Sequence, residues 1–192
     1  AKTISITFKA NGKQGQLKKA LDRICSYAKD AVDEGYSILV LSDRGVDSDH
    51  VAIPSVLATA AVHHYLIRQK IRSHVDIILE SADIRETHHF ATVIGYGAAA
   101  VNPYLALESM FELRDEDVLD KALSNEQITD KYIKAVSSGL LKTFSKMGIS
   151  TLQSYLGAQV FEALGLNSEV IEQCFTGTIS RIEGLSPDQI AQ

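Results

Sequence analysis

The spacing of hydrophobic residues predicts alternating strands and helices over the first 113 residues. Hydrophobic and polar residues alternate from Ile4 to Phe8, which indicates a half-buried strand at a sheet edge, ended by a turn at Asn11-Gly12. From Gln16 to Glu34 the apolar residues recur at helical spacing, and Gly35 then ends the run as a helix-terminating glycine does. Together these patterns predict a first β/α unit.

Further β/α units follow along the chain. Residues 37–41 and 76–81 are largely apolar and bounded by polar residues, as is typical of strands buried on both faces of a parallel sheet. The other predicted elements are a helix beginning at Pro54, a helix over 88–96 capped by a box at Asp83-Ile84-Arg85-Glu86, a strand over 98–101, and a helix from Tyr104 to about Leu113. The pattern predicts an α/β fold: a parallel, partial barrel-like β/α layer with additional C-terminal helices.

The C-terminal third is predicted to be mainly helical. The predicted helices there run from about Asp130 to Lys146 after a cap at Ser124, from Thr151 to Leu164 up to Gly165, and over 167–174. These patterns divide the chain into a β/α repeat layer over 1–113, a helical C-terminal part over 114–184, and the start of a truncated next element over 185–192.

A helix-capping motif stands close to the last residue. Ser186 is a cap residue, Pro187 suits the first helical position, and Gln189 completes a capping box, three residues before the chain stops at Gln192. Our hypothesis is that the chain is an excised piece of a longer polypeptide. An open reading frame that ends at Gln192 would contradict it.

Composition and charge exclude several classes of partner. The chain has 192 residues, 45% of them hydrophobic, which is enough to form a proper core. Its net charge is -5 and its 19 Lys and Arg are spread rather than massed, so we expect no nucleic-acid partner. Polar residues interrupt the longest apolar windows, so no membrane span is expected. The only two cysteines, Cys25 and Cys174, lack C-x-x-C spacing and favour a reducing, cytoplasmic location.

Polar residues cluster where the predicted strands end. The strand-end candidates are Ser42, Asp43, Arg44, Glu80, Ser81, Asp83, Arg85 and Asn102. Because the carboxyl ends of parallel strands share one edge, these side chains are expected to converge on a ligand crevice. The alternative is mutual pairing, in which the arginines neutralise the carboxylates and hold the loops.

Three shorter motifs are weaker candidates. The pairs His63-His64 and His88-His89 are adjacent on predicted helices, so the two members of a pair point about 100° apart and cannot chelate one metal from one helix face. Residues 95–100 match G-x-G-x-x-A, but they close a helix instead of opening one, which indicates a helix stop and tight packing. Lys142 and Lys146 lie one turn apart and are able to hold a phosphate, although exposed lysines are the ordinary interpretation.

Longer runs in the same region resemble the large subunit of glutamate synthase. They span about residues 37–184 and are far more specific than the short motifs. The matching runs include Leu41–Arg44, Ile53–Ser55, Ala61–His64, Arg85–Ala91, Gly95–Ala106 and Lys142–Thr151. The chain is identified as a member of this family that covers part of its central domain, with the C-terminal end reaching towards the FMN-binding domain.

The resemblance implies an enzyme that hydrolyses glutamine at an N-terminal cysteine, passes ammonia internally, and forms glutamate from 2-oxoglutarate with reduced FMN and an iron-sulfur cluster. Neither Cys25 nor Cys174 stands at the N-terminus, and the sequence has no cysteine cluster. We therefore expect no catalytic residue, cofactor-binding residue or metal ligand in this chain.

For the central domain, the resemblance implies a connector that surrounds the ammonia channel and couples the catalytic domains. The expected partners are the amidotransferase and FMN domains of the same polypeptide and a reductase subunit. The candidate channel or interdomain cluster is Asp43, Arg44, Glu80, Arg85, His88 and Asn102. The alternative is a stand-alone FMN- or phosphate-binding α/β enzyme that uses the strand-end crevice.

Overall fold

The chain forms eight strands and eight α-helices in the part that the computed structural model describes, residues 1–9 and 12–192. Asn11, in the first predicted turn, lies outside these residues. The strands are β1 (Lys2–Ser5), β2 (Thr7–Lys9), β3 (Ile38–Ser42), β4 (His50–Ala52), β5 (Asp76–Glu80), β6 (Ala98–Asn102), β7 (Glu162–Leu166) and β8 (Ile179–Leu185). The helices are α1 (Gln16–Asp33), α2 (Ser55–Arg68), α3 (Thr87–Gly95), α4 (Tyr104–Asp115), α5 (Asn125–Lys146), α6 (Leu152–Tyr155), α7 (Ser168–Cys174) and α8 (Pro187–Ile190).

Four parallel strands form the central sheet in the order β1-β3-β5-β6. A helix follows each of them, after the short strand β2 or β4 in the first two cases, so neighbouring strands belong to successive β/α units, as they do in a β/α barrel. The side chains of Leu39, Leu41, Ile77 and Leu79 on the two middle strands are fully buried. The predicted α/β class and parallel layer are confirmed.

The first predicted strand is divided at Ile6, where the chain changes its hydrogen-bonding partner. β1 pairs in parallel with β3 at the sheet edge, as predicted, whereas β2 pairs antiparallel with β4 in a separate ribbon. The Ile6 N–H donates to the Ser42 carbonyl at 2.9 Å, and the Ile6 carbonyl accepts from the Ile53 N–H at 2.8 Å. The predicted alternation is still correct, because Ile4, Ile6 and Phe8 are all buried.

The helices that flank the sheet follow the predicted spacing. α1 buries the stripe that includes Leu17, Leu21 and Ile24, and it packs against α2. Gly35 follows it with a φ of 87°, in the left-handed region that favours glycine. α2 begins at Ser55, one residue after the predicted Pro54.

The helix predicted over residues 151–164 is wrong. α6 ends after four residues, and Gly157 and Gln159 then adopt positive φ values of 70° and 53°, which turn the chain out of the helix. The following residues form β7, which pairs in parallel with β8. Because β8 is distant in sequence, local hydrophobic spacing carried no signal for this pairing, and the long-range pairing outweighs helical propensity.

Other C-terminal predictions are confirmed. Ser124 and Gln127 form the capping box of α5, which begins at Asn125, earlier than the predicted Asp130. Asn167 caps α7, and a second capping box begins α8. In the part of the chain that the structure describes, no helix is both long enough and apolar enough to cross a membrane.

Candidate functional site

The last residues of neighbouring strands form one row at the carboxyl edge of the sheet. The register pairs Ser5 with Ser42, Ser42 with Glu80, and Glu80 with Asn102. Because these residues are in register on parallel strands, their side chains lie side by side across four strands. The name strand-end cluster is used below for the ends of β3, β5 and β6 and the side chains close to them: Ser42, Asp43, Arg44, Glu80, Asn102, Tyr104 and Glu108.

Glu80 is the centre of the strand-end cluster. Its carboxylate accepts hydrogen bonds from Ser42 Oγ at 2.6 Å, Arg44 Nε at 2.8 Å and Asn102 Nδ2 at 3.3 Å. The hydrogen bond from Arg44, followed by that from Ser42, lowers the pKa of Glu80 below its ordinary value. Glu80 is therefore held as an anion with three donors around it.

Arg44 is shared between the sheet and α4. Its guanidinium lies over the Tyr104 ring, with 3.9 Å from Cζ to the ring centroid, and Nη1 is 3.7 Å from the Glu108 carboxylate. Its hydrogen bond to Glu80 raises the pKa of Arg44 further. Its ion pairs with Glu80 and Glu108 and its stacking on Tyr104 therefore occupy most of the binding capacity of the Arg44 guanidinium.

Asp43 is the most buried charged residue of the cluster, with 2% of its surface exposed. Its Oδ2 accepts a hydrogen bond from the Ala82 N–H at 2.8 Å, whereas Oδ1 is buried and has no hydrogen-bond partner within 3.5 Å in the described chain. The Tyr104 hydroxyl lies near this carboxylate, and burial together with Asp43 raises the pKa of Tyr104 to about 12. Asp43 Oδ1 is a buried acceptor that an N–H or O–H donor is able to use.

A second network holds the loop after β5 to the start of α2. Ser81 Oγ lies 2.7 Å from Ser55 Oγ, and the Asp83 carboxylate accepts from the Ser55 N–H at 3.1 Å and from Ser81 Oγ. Asp83 therefore does not cap α3, and the predicted capping box is wrong. Glu86 is the N-cap instead, because its own carboxylate accepts from the His88 N–H at 3.1 Å.

Arg85 and His88 lie outside the strand-end cluster. Both are exposed, and Arg85 bonds to its neighbours through its backbone: its N–H donates to His89 Nδ1, and its carbonyl accepts from the Tyr132 hydroxyl. His88 instead lines a cleft between α3 and α5 together with Lys142 and Lys146. Of the six candidate residues, the fold brings together Asp43, Arg44, Glu80 and Asn102.

Two residues of the cluster were missed by sequence reasoning. Tyr104 and Glu108 lie four residues apart on α4, so they share one helix face above the strand ends. The available signal was their position directly after Asn102-Pro103, at the start of the helix that follows the last strand.

The glycines of the G-x-G-x-x-A motif serve packing, and none of the histidines forms a metal site in the described residues. Among residues 1–9 and 12–192 no group of three or more His, Cys, Asp or Glu side chains is placed to hold a metal ion. A Cβ on Gly95 would lie 2.5 Å from the Phe161 ring, and one on Gly97 would lie 2.2 Å from His63 Nδ1. The predicted helix stop and tight packing at these glycines are confirmed, because α3 ends at Gly95.

The four β/α units define a partial β/α barrel with a polar cluster at the carboxyl ends of its strands. Solved structures support this architecture. A mutant flavocytochrome b2 with benzoylformate matches 76% of this chain and 38% of its own chain, with a TM-score of 0.54 and 13% identity. A second mutant of that protein, with pyruvate bound, matches 84% of this chain and 41% of its own, with a TM-score of 0.53 and 14% identity.

The family model described as glutamate synthase central domain matches residues 1–167, and the chain belongs to this family. The NADH glutamate synthase of Schizosaccharomyces pombe is 50% identical over 98% of this chain and 9% of that protein. The NADPH glutamate synthase large chain of Bacillus subtilis is 45% identical over 92% of this chain and 11% of that protein. A ferredoxin-dependent glutamate synthase of Arabidopsis thaliana is 44% identical over 94% of this chain and 12% of that protein. The chain therefore spans about a tenth of the length of these relatives.

Proposed function

We propose that this chain is a central connector region of an FMN-dependent glutamate synthase, which converts glutamine and 2-oxoglutarate into two glutamates. The observation that carries the proposal is the match over nearly the whole chain to relatives about ten times longer. In this role the chain holds no catalytic residue. It supports the domains that do the chemistry and takes part in surrounding the path of ammonia between them.

Unpartnered apolar surface around β6 supports a connector role. β6 is the last strand of the four-stranded sheet, and Ala99 and Ala100 on it are exposed. The helix that follows, α4, has no buried residue, although it carries several large apolar side chains. An apolar cleft of about 400 Å³ beside β6 is lined by residues that include Phe90, Ile94 and Leu140. Surface of this kind marks protein-protein contacts, here with neighbouring domains.

The β7-β8 pair offers a second apolar face. Leu164 and Ile182 are paired in the register, and their exposed fractions are 64% and 61%. Leu185 and Ile179 on the same ribbon are also exposed. The faces of parallel strands are ordinarily covered by other elements of the protein. This face is therefore expected to contact another part of the polypeptide.

The strand-end cluster is the proposed site of channel or interdomain contacts. It holds the anionic Glu80 at the strand ends, beside the buried carboxylate of Asp43, and acceptor oxygens of this kind suit a small N–H donor such as ammonia. Arg85 and His88, which lie outside the cluster, are assigned to interdomain contacts at exposed positions.

The whole enzyme is proposed to carry FMN and an iron-sulfur cluster outside this chain, to contain amidotransferase and FMN domains, and to accept electrons through a reductase subunit or another donor. We propose a cytoplasmic location. The proposed division is a β/α layer over 1–113, a C-terminal part over 114–184 that combines helices with the β7-β8 pair, and the start of a next element over 185–192.

The coupling between glutamine hydrolysis and glutamate formation in the full-length enzyme tests the proposal. Arg44→Ala removes the ion pair and the stacking that organise the strand-end cluster, so less glutamate is expected per glutamine hydrolysed. The control is Lys29→Ala, which breaks the exposed ion pair with Asp33 on α1, away from the proposed contact surfaces. Equal coupling in both variants and the unmodified enzyme would count against a channel role.

The alternative is that this chain is a stand-alone enzyme. Binding and activity assays on the isolated 192-residue chain test it. A flavin or phosphate enzyme at the strand-end crevice requires cationic groups free to bind the anion, whereas Arg44 is engaged by Glu80, Glu108 and Tyr104. We expect the isolated chain to be colourless, to ignore FMN in a fluorescence titration, and to convert neither glutamine nor 2-oxoglutarate. Turnover by this chain alone would overturn the connector assignment.

A further inference from the structure

A cleft of about 500 Å³ lies between α1 and the β2-β4 ribbon, apart from the strand-end cluster. Lys19, Arg23 and Tyr27 form its helical wall, and their four-residue spacing places them on one face of α1. Lys9 and His50 come from the ribbon. The cleft joins residues as far apart in sequence as Ser5 and His50, so it exists only in the folded chain.

The cleft concentrates positive charge in a chain whose net charge is -5. Among the described residues, no carboxylate lines the cleft. Lys9 and Lys19 are exposed and form no ion pair with any of those residues. Arg23 is held in place because its Nη2 donates to the Thr7 carbonyl at 2.5 Å. His50 contributes less, since its ring is hydrogen-bonded to Asp47 at 3.0 Å. Like charges that line a concave surface focus their field on an anion.

Hydroxyl groups complete the polar wall. Ser5 Oγ and Thr7 Oγ1 lie 3.0 Å apart and share one hydrogen bond, and Ser5 Oγ also accepts weakly from the Thr7 N–H at 3.4 Å. Two hydroxyls have two protons, and their mutual bond uses one. The second proton is free to be donated to a ligand oxygen beside the lysines.

We propose that this cleft binds a phosphate-bearing small molecule. A phosphoryl group carries nearly two charges and three acceptor oxygens at neutral pH, which suits two free ammonium groups, a guanidinium and a hydroxyl better than a single carboxylate does. The ring of Tyr27, 54% exposed, forms an apolar wall for the rest of the ligand. The volume lies in the range of small-molecule sites.

Calorimetric titration of the 192-residue chain with sodium pyrophosphate at low salt tests this site. We expect saturable binding that weakens with added salt. The double variant Lys9→Gln/Lys19→Gln is expected to weaken it by roughly tenfold or more, because two direct ionic contacts are lost. Lys18→Gln/Lys29→Gln is the matched control: it removes the same charge, but these lysines pair with Glu169 and Asp33 outside the cleft.

The outcomes separate the possibilities. Loss in the cleft variant with binding kept in the control supports the site, and tighter binding of ADP than of pyrophosphate would assign the apolar wall to an organic group. Equal weakening in both double variants would mean that only net charge matters and would overturn the proposal. Equal affinity for citrate would overturn the phosphate class, and absence of pyrophosphate binding would overturn the site itself. Thermal unfolding by circular dichroism checks that the variants are folded.

Discussion

Arg72 donates a hydrogen bond from Nε to Nδ1 of His63 over 3.0 Å. Arg72 also donates from Nη2 to the Gly97 carbonyl at 2.9 Å, so one side chain joins α2 to the turn before β6. Because Nδ1 accepts this bond, the imidazole is neutral with its proton on Nε2. Burial, followed by the charge of Arg72, lowers the pKa of His63 to about 4.

The first prediction is a loss of stability on mild acidification that depends on His63. An unfolded histidine binds a proton near pH 6.5, whereas the folded one does so near pH 4, so the free energy of unfolding falls as pH decreases between these values. The expected loss from pH 7 to pH 5 is about 1–2 kcal/mol from this residue. Urea unfolding at both pH values measures it, and His63→Gln is expected to lose correspondingly less. Equal losses in both proteins would contradict the prediction.

The second prediction concerns Gly97. Its φ of 109° is strained for any L-residue, and a Cβ there would lie 2.2 Å from His63 Nδ1. Gly97→Ala is expected to lower the free energy of unfolding by about 2–4 kcal/mol, from strain and overpacking together. Gly148→Ala is the control, because its φ is 70° and no atom lies within 4 Å of its Cβ, so it costs only about 1 kcal/mol. Similar losses for the two variants would contradict the packing role.

The third prediction concerns the Tyr155 hydroxyl. Tyr155 is fully buried, and its hydroxyl donates to the Ala91 carbonyl on α3 at 3.0 Å. Tyr155→Phe leaves that carbonyl without this donor and is expected to cost about 1–2 kcal/mol in chemical denaturation. In Tyr132→Phe the lost bond, to the Arg85 carbonyl at 2.8 Å, is exposed and water replaces it, so about 0.5 kcal/mol or less is expected. The reverse order would contradict the assignment of burial as the cause.

The fourth prediction is that both thiols are inert in the folded chain. Cys25 and Cys174 are buried and free, and burial raises the pKa of each to about 12. Since the thiolate is the reactive form, a disulfide reagent at pH 8 is expected to label neither residue until urea is added, and then both. Rapid labelling of the native chain would contradict this prediction.

Local signals in the sequence determined the elements that depend on neighbouring residues. The buried runs of β3 and β5, the capping box of Ser124 and Gln127, and the start of α8 at Pro187 were predicted correctly because each rests on contacts within a few residues. The parallel layer followed from the alternation of such elements. The family followed from long runs of matching residues.

Only the tertiary structure decided the contacts between elements. The register across β3, β5 and β6 aligned Ser42, Glu80 and Asn102 and let Arg44 reach Tyr104, while Arg85 and His88 were left outside. The tertiary structure also formed β7 where a helix was predicted, and it brought cations from α1 and β2 together in one cleft. The physical reason is that strand register and helix docking depend on partners far along the chain, about which hydrophobic spacing carries no information.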